Sequence, residues 1–334
     1  MAHLLLKTEI ELNKFLTFLD ANREKIIGKF AFNKNFDKEE IFKALSANFG
    51  KFSQEKSEDI IQSYLLNEDQ LIGASLLVWS KWDSAHFNLK IGKINFCLFG
   101  SAADLNARII LLKNLIQESK RKNLDLVFVR VPMDDMLTVI ALEKAGAILT
   151  DVLMTLQKDL DDFSDPNIEI DGVNVTEVSK EDGRSLFEIA RKTFKFDHFH
   201  SDPALPTYLC DELYVEWIKN SLYGLADKVL VAKRNQRAVG FITCKIESIT
   251  QKCRFGFIDL IGIEPEEGGK GIGGLLINKA LNWFIKFVPS VYVGTQVRNI
   301  SAMRLYTRLG FKPVYSEATM HLWISRRGLW KKEV

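Results

Sequence analysis

The chain has few of the residues that hold metals or form disulfides. Only four cysteines and five histidines occur among its 334 residues, and no two cysteines show C-x-x-C spacing. That spacing is typical of zinc and redox sites, so neither kind of site is indicated. We interpret the cysteines as reduced, mostly buried thiols of a cytosolic protein; they are Cys97, Cys210, Cys244 and Cys253.

An excess of charge of either sign is also missing. The 45 lysines and arginines nearly balance the 43 acidic residues, which leaves a net charge of +2. The densest basic runs, at 120–122 and 326–327, are short, whereas a nucleic-acid-binding face needs clustered basic side chains. At the start, MAHLLLKTEIELNKF has only three leucines in a row before charge returns, which predicts neither a signal peptide nor a membrane span. We expect a cytoplasmic monomer or homodimer that binds neither nucleic acid nor a membrane.

Length and aromatic content indicate a large core. A chain of 334 residues is too long for one ordinary core, which suggests two domains. The 23 phenylalanines, many of them within the first 100 positions, are more typical of packing than of a ligand cage. We expect the Phe-rich first 60 residues to form helices of the first domain.

The chain contains an internal repeat. Residues 89–156 align with residues 253–320 at a shift of 164 without a gap. The strand-like run LKIGKINFCLF aligns with CRFGFIDLIGI, and the helical run ARIILLKNLIQESKRK aligns with GIGGLLINKALNWFIK. Identical pairs include Gly92/Gly256, Ile94/Ile258, Asn114/Asn278, Val127/Val291, Val129/Val293, Gly146/Gly310 and Thr155/Thr319. We infer two copies of one α/β unit, a first unit at 1–160 and a second unit at 173–334, joined by a polar linker at 161–172.

The two copies differ at a glycine-rich loop. Gly268–Gly273 in the second copy aligns with Asp104–Ile109 in the first, where side chains would keep phosphates away from the backbone. Tyr306 in the second copy aligns with Leu142 in the first. The first copy therefore keeps the fold pattern and loses the polar groups, which puts a single active site in the second copy.

The loop sequence GIEPEEGGKGIGGLL, at 262–276, has more than one interpretation. It fits the dinucleotide pattern G-x-G-x-x-G, but the strand after the helix, SVYVGTQV, lacks the carboxylate that would bind a ribose. A turn without a ligand would lose conformational entropy at four glycines in six residues without compensation. A loop that binds a pyrophosphate through its N–H groups, at the start of a helix, explains the glycines better.

These segments resemble the GNAT superfamily of acyl-CoA-dependent N-acetyltransferases. The shared features are I-x-I-x-P at the strand end, the G-K-G-I-G loop, and N-x-x-A-x-x-x-Y-x-x-x-G-F within VRNISAMRLYTRLGFKPV. The resemblance covers roughly residues 173–324 and departs from the family at Gly268, where Arg or Gln is usual. It implies an α/β (α+β) fold of two tandem units, each with a mixed, mostly antiparallel sheet flanked by helices, the first unit being degenerate.

The resemblance also implies acetyl-CoA as the acyl donor, without a metal. Backbone groups of the strand end would bind the pantetheine and stabilise the oxyanion, and the glycine loop would bind the phosphates. Tyr306 would be the general acid that protonates the departing thiolate. The expected CoA-binding residues are Ile261, Gly262, Ile263, Gly269, Lys270, Gly271, Ile272, Gly273, Gly274, Asn299 and Ala302.

The sequence leaves the general base open. Asp259, on the strand before the loop, is our candidate and would take the amine proton directly or through water. It would equally suit a sugar hydroxyl, and a chain of water molecules would also deprotonate the amine.

A second resemblance concerns the acceptor. KTFKFDHFHSDPALPTYLCDELYVEWIKN is similar to a segment of TDP-fucosamine acetyltransferases and related nucleotide-amino-sugar N-acetyltransferases, with His198 where Arg is common. WDSAHFNLKIGKI in the first copy is similar to the opening segment of those enzymes. The resemblance implies acetylation of a nucleotide-linked amine, for example on a TDP-amino-dideoxyhexose, in polysaccharide biosynthesis. The candidate substrate residues are His198, His200, Asp202, Gln296, Trp82 and Phe87.

Several alternatives remain at this point. The acceptor could be another amine, such as a peptide N-terminus or an antibiotic, and the chain could be a non-catalytic acyl-CoA-binding module. Trp82 and Phe87 would either stack on a base or pack in the core. Asp197, His198, His200 and Asp202 are metal-ligating types, but only His3, His86 and His321 remain as further histidines, so we predict no metal.

Overall fold

The computed structural model describes residues 4–325, which form a 12-stranded sheet with helices on both faces. The strands are β1 Leu4–Lys7, β2 Ile60–Asn67, β3 Gln70–Trp79, β4 Ile91–Phe99, β5 Leu126–Pro132, β6 Ile148–Asp159, β7 Val173–Glu177, β8 Lys228–Arg234, β9 Arg237–Ser248, β10 Arg254–Ile263, β11 Ser290–Gln296 and β12 Lys312–Trp323. The main helices are α1 Leu12–Ala21, α2 Arg23–Ile27, α3 Lys38–Gln54, α4 Lys81–Phe87, α5 Leu105–Arg121, α6 Met136–Lys144, α7 Gly183–Thr193, α8 Thr207–Asn220, α9 Ile272–Phe284 and α10 Ile300–Arg308. The predicted basic run at 326–327 and His3 lie outside the described residues.

Neighbouring strands are antiparallel except for β4–β5 and β10–β11, which are parallel. These two pairs are equivalent under the 164-residue shift, and both stop at the same place, Ile94↔Val129 and Ile258↔Val293. The predicted fold class, two tandem units with mixed, mostly antiparallel sheets flanked by helices, is confirmed.

Each unit completes the sheet of the other. β12 of the second unit lies between β5 and β6, and β6 of the first unit lies between β12 and β11. The two exchanged strands pair in equivalent registers, Glu317↔Pro132 and Leu153↔Gln296. Residues of β6 therefore border the sheet of the second unit. Apart from one isolated bridge at Ile170, residues 161–172 lie outside strands and helices; the domain boundaries placed there remain a prediction, and the sheet continues across both units.

The two faces of the sheet carry different helices. Apolar side chains of α5 and α6, and of α9 and α10, pack on one face, which we call the α9 face. The opposite face, the α8 face, carries α1–α4 with α7 and α8. Burial of these apolar side chains is the main stabilising contribution, at roughly 25 cal/mol per Å² removed from water.

The Phe-rich N-terminal segment packs across the boundary between the units. Phe30, Phe36 and Phe42 surround Phe255 and Tyr292, which lie on β10 and β11 of the second unit. The segment contains helices, as expected, and it packs on strands of both units; its assignment to the first unit remains a prediction.

Candidate active site

The site begins where β10 and β11 part. Their parallel pairing runs from Gly256↔Val291 to Ile258↔Val293 and then stops. Beyond that point β10 pairs only with β9, and β11 pairs only with β6. The edge that carries Ile261, Gly262 and Ile263 thus has no strand partner on the β11 side. Such an edge offers backbone donors and acceptors to an extended ligand.

The glycine loop follows directly and leads into α9. Gly269 and Gly271 have φ angles of 76° and 86°, a region that favours glycine. No side chain caps α9, whose first residue is Ile272, so its first N–H groups remain available to an anion. A Cβ at Gly273 would lie 2.9 Å from Cδ2 of Leu305, so a larger residue there would displace the Leu305 side chain where α9 approaches α10.

Two cations share one carboxylate beside this loop. The Lys270 ammonium and the Arg234 guanidinium each lie 3.3 Å from Oε2 of Glu267. Two cations thus contact a single carboxylate next to the uncapped helix. This balance of charges suits a phosphate group.

The equivalent region of the first unit is closed by its own side chains. Asp104, at the position of Gly268, caps α5 by accepting a hydrogen bond of 2.8 Å from the Ala107 N–H. The buried Arg108 guanidinium donates to Asp135 at 2.6 Å and also to Thr138. Asp135 and Thr138 stand at the positions of Asn299 and Ala302, so an internal ion pair spans the space that the second unit leaves open.

Tyr306 lies on α10, behind the opening between β10 and β11. Asn299 caps this helix by accepting a hydrogen bond of 3.2 Å from the Ala302 N–H. Tyr306 is 3% exposed, and its ring lies 5.8 Å from that of Phe311 between centroids. Burial raises the pKa of the Tyr306 phenol above its ordinary value, so the group holds its proton at neutral pH.

Asp259 occupies a β-bulge on the α8 face. The register of β10 with β9 skips it, passing from Ile258↔Cys244 to Leu260↔Thr243. Its Oδ2 accepts a hydrogen bond of 2.9 Å from the Trp217 indole and forms an ion pair of 2.9 Å with the Lys245 ammonium. Asp259 therefore ties α8 to the sheet, and its role as the base remains a prediction.

His198 and Asp202 form a buried chain with His321 of the exchanged strand β12. Nδ1 of His198 lies 2.8 Å from Nε2 of His321, whose Nδ1 lies 2.7 Å from Oδ2 of Asp202. The Trp323 indole donates to the same oxygen at 2.9 Å. Burial, with the nearby positive groups, holds the pKa of His198 well below its usual value. Burial opposes the Asp202 carboxylate, but His321 together with the hydrogen bonds from the Ala204 N–H and the Trp323 indole outweighs it and lowers the pKa of Asp202.

His200 lies between two carboxylates. Its Nδ1 contacts Asp197, and its Nε2 lies 2.8 Å from Oδ1 of Asp211. Burial alone would lower the pKa of His200, but the two carboxylates outweigh it and raise the value. Both ring nitrogens of His200 contact carboxylates, so the imidazole joins the loop at 197–202 to itself through Asp197 and to α8 through Asp211. Its assignment to substrate binding remains a prediction.

The remaining candidates differ in exposure. Trp82 is 44% exposed and stacks on His86 at 6.0 Å between ring centroids. Phe87 is buried, with its ring 4.9 Å from that of Phe199. Gln296 ends β11 opposite Leu153. The structure thus groups Phe87 with the 197–202 loop on the α8 face, while Tyr306 lies on the α9 face, across the opening.

Sequence reasoning missed Asp151, on the exchanged strand β6. Asp151 is 6% exposed, and neither carboxylate oxygen has a hydrogen-bond partner among residues 4–325. A lone acid within the apolar run ILTDVLMTL is the signal that would have found it.

Two further findings concern the described part of the chain. No cluster of three or more metal-ligating side chains occurs among residues 4–325. Within the same residues, every helix is too short or too polar to cross a membrane.

Comparison with known proteins identifies the fold and its family. The model of the acetyltransferase (GNAT) family matches residues 184–311. The spore coat polysaccharide biosynthesis protein SpsD of Bacillus subtilis (strain 168) is 27% identical over 263 residues, which span 78% of this chain and 86% of that protein.

Two solved structures are similar over nearly the whole chain. A GCN5-related N-acetyltransferase from Sphaerobacter thermophilus matches with a TM-score of 0.63 at 13% identity, over 96% of each chain. A tandem GNAT protein from the clavulanic acid biosynthesis pathway matches with a TM-score of 0.56 at 10% identity, over 97% of this chain and 99% of that one. At these identities the likeness shows the shared tandem fold. With the site described above, the family match identifies residues 184–311 as an acetyltransferase (GNAT) domain, and the chain is an acetyltransferase.

Proposed function

We propose that this acetyltransferase acetylates the amine of a nucleotide-linked amino sugar that is used to build a polysaccharide. The observation that carries the proposal is the similarity to SpsD, a protein named for spore coat polysaccharide biosynthesis, over 78% of this chain. That length extends beyond a single unit. The motifs around Trp82 and around His200, one in each unit, support the same substrate class.

The second unit fits acetyl-CoA, the donor that acetyltransferases of this family use. The uncapped start of α9, Gly269 and Gly271 would hold the pyrophosphate, with Lys270 and Arg234 beside it. The unpaired strand edge at 261–263 would hold the pantetheine arm, next to Asn299 and Ala302. When bound, acetyl-CoA supplies an activated acetyl group as a thioester. The first unit does not fit it, because Asp104 and the Arg108–Asp135 pair fill the equivalent positions.

Tyr306 would give its phenol proton to the leaving thiolate. Its burial among apolar side chains keeps the proton on the oxygen until a strong base forms beside it. A positioned proton donor of this kind typically contributes 10²–10⁴-fold to a rate.

The α8 face carries positively charged and aromatic side chains that suit a sugar nucleotide. Lys93 and Arg130, on β4 and β5, are exposed there and contribute to the lowered pKa of His198. Their charges suit a diphosphate, and the half-exposed ring of Trp82 suits stacking of a base. The amine would then reach the opening between β10 and β11.

A thiol-release assay with acetyl-CoA tests the proposal. The acceptor panel comprises TDP- and UDP-linked amino sugars, the free amino sugars, a peptide with a free N-terminus, and an aminoglycoside. Release with a sugar nucleotide, lost in Tyr306→Phe, is the expected result. Release with the peptide or the aminoglycoside alone would overturn the proposed substrate class while leaving the acetyltransferase chemistry in place.

A further inference from the structure

Asp151, on the exchanged strand β6, is a buried carboxylate. Asp151 is only 6% exposed, yet neither of its oxygens accepts a hydrogen bond from a described residue. The Oγ1 of Thr319, directly opposite on β12, is also buried without a partner among residues 4–325. Native proteins rarely leave such groups unsatisfied, because burial of an unpaired carboxylate is costly. A cationic ligand would remove that cost.

Strand exchange brings Asp151 to the second unit's site. β6 pairs with β11 up to Leu153↔Gln296, at the end of the strand that parts from β10. Asp151 lies two residues beyond Leu153 on the same strand, and Leu153 Cδ1 lies 3.6 Å from where a Gly294 Cβ would be. Asp151 therefore borders the acceptor end of the opening, although it belongs to the first unit.

The pseudo-symmetry of the sheet supports this placement. The residue equivalent to Asp151 is Tyr315, as the registers Tyr315↔Thr155 and Thr319↔Asp151 show. Tyr315 lines a cavity of 380 Å³ in the first unit, together with residues 95–98 and Pro132. Those residues are equivalent to 259–262 and Gln296. Asp151 thus takes the corresponding position against the unpaired edge of β10.

The groups around Asp151 come from several elements. Arg130 of β5 is a nearby positive charge, and Asp197 of the 197–202 loop is a nearby negative one. The side chains of Gln296 and Thr319 lie close to Asp151 and partly offset the effect of burial on its pKa, and the Tyr214 phenol of α8 lies on the same side. Burial raises the pKa of Asp151, which suits a group that takes up a proton. Asp259, by contrast, is already bound to Lys245 and Trp217.

We propose that Asp151, supplied by the first unit, binds the acceptor's ammonium in the second unit's site and accepts its proton. The ammonium gives one proton to Asp151, and the amine nitrogen then bonds to the acetyl carbon as that carbon's bond to sulfur breaks. The nitrogen then loses its second proton to solvent, and Tyr306, which has given its proton to the thiolate, regains one from solvent. The products are the amide, the free thiol and protonated Asp151, which releases its proton to solvent. The inference rests on the proposed amine acetylation, not on the identity of the sugar.

The test compares Asp151→Asn with Glu317→Gln. Glu317 is the matched control, since it is an acid on the other exchanged strand and faces the first unit's cavity. We expect Asp151→Asn to lower kcat/KM for the acceptor by about 100-fold or more and to remove the acidic limb of the pH profile. The KM for acetyl-CoA should stay within about twofold in both variants, and Asp151→Glu should recover part of the rate. A kcat/KM for Asp151→Asn within about threefold of the wild type, or an equal loss in Glu317→Gln, would overturn the proposal.

A second readout needs no acceptor. If the Asp151 carboxylate is unpaired until the acceptor binds, Asp151→Asn should unfold at the same temperature as the wild type or at a higher one at pH 7.5. A fall of more than about 5 °C, with Glu317→Gln unchanged, would mean that the carboxylate is a structural partner and would overturn the proposal. If the panel reacts through a peptide amine instead, the Asp151 comparison is made with that amine. Failure of the sugar substrate is then distinguished from failure of the Asp151 role.

Discussion

Leu153 and Glu317 face each other at the centre of the β6–β12 pair. They are 164 positions apart, the same shift that aligns the two copies, so the pseudo-two-fold axis of the sheet passes between them. The last strand of each unit therefore lies in the sheet of the other. Residues of the first unit's β6 therefore border the sheet that carries the candidate site of the second unit.

Replacing Tyr306 by Phe should separate catalysis from binding. We expect kcat to fall about 10²–10³-fold because the thiolate loses its proton donor. Acetyl-CoA affinity should be unchanged, and the free energy of unfolding should change by less than about 1 kcal/mol, since burial alone accounts for the raised pKa of this phenol. Steady-state kinetics, calorimetry and urea unfolding measure the three quantities. Wild-type turnover in the variant would remove Tyr306 from the mechanism.

Gly269→Ala should weaken acetyl-CoA binding beyond its effect on stability. Both Gly269 and Gly146 have positive φ, at 76° and 95°, and a Cβ added at either would meet no atom within 4 Å. Each substitution should therefore cost about 1 kcal/mol of stability from backbone strain. Calorimetry should show a Kd for acetyl-CoA raised about tenfold in Gly269→Ala and unchanged in Gly146→Ala. Equal binding by the two variants would argue against the loop as the phosphate site.

Arg108→Ala should destabilise the chain without creating or removing a CoA site. The substitution leaves the largely buried Asp135 without its cation, which costs about 3–5 kcal/mol, and Arg108→Ala combined with Asp135→Ala should cost less. Urea unfolding measures these changes. Titration of the wild type should give one acetyl-CoA per chain, and a stoichiometry of two would contradict a closed first unit.

His200 should make stability depend on pH. Its folded pKa is raised above the unfolded value by Asp197 and Asp211. Its contribution is therefore complete below about pH 6.5, the ordinary value for histidine, and is lost as pH rises through the folded pKa. Urea midpoints between pH 6 and 9 should decline more steeply for the wild type than for His200→Gln. Parallel curves would show that the two carboxylates do not hold the imidazolium.

The repeat and the glycine loop could be predicted from the sequence because each leaves a local pattern. Apolar residues at equivalent positions, such as Val127 and Val291, mark equivalent buried strands, and Gly269 and Gly271 mark a backbone that only glycine adopts easily. Asp104 of the first unit aligns with Gly268 of the second, and this difference predicted that the first unit is closed to phosphates and the second is open.

The strand exchange could not be predicted from the same patterns. β5 and β11 are equivalent strands of the two copies, so the sequence allows β12 to pair with either strand in the same register. The alternation of side chains between the two faces of the sheet would be the same in both arrangements. The environment of Asp151 follows from that exchange. The contact between His200 and Asp211 depends on how the loop meets α8, which residue spacing does not specify.

The most direct test compares kcat/KM for a TDP- or UDP-linked amino sugar with that for the same amino sugar without its nucleotide, and identifies the product by mass spectrometry. We expect an N-acetylated sugar nucleotide and a preference for the nucleotide-linked acceptor of at least about 100-fold, or about 2.7 kcal/mol. Equal values for the two acceptors, or acetylation of the peptide alone, would contradict it.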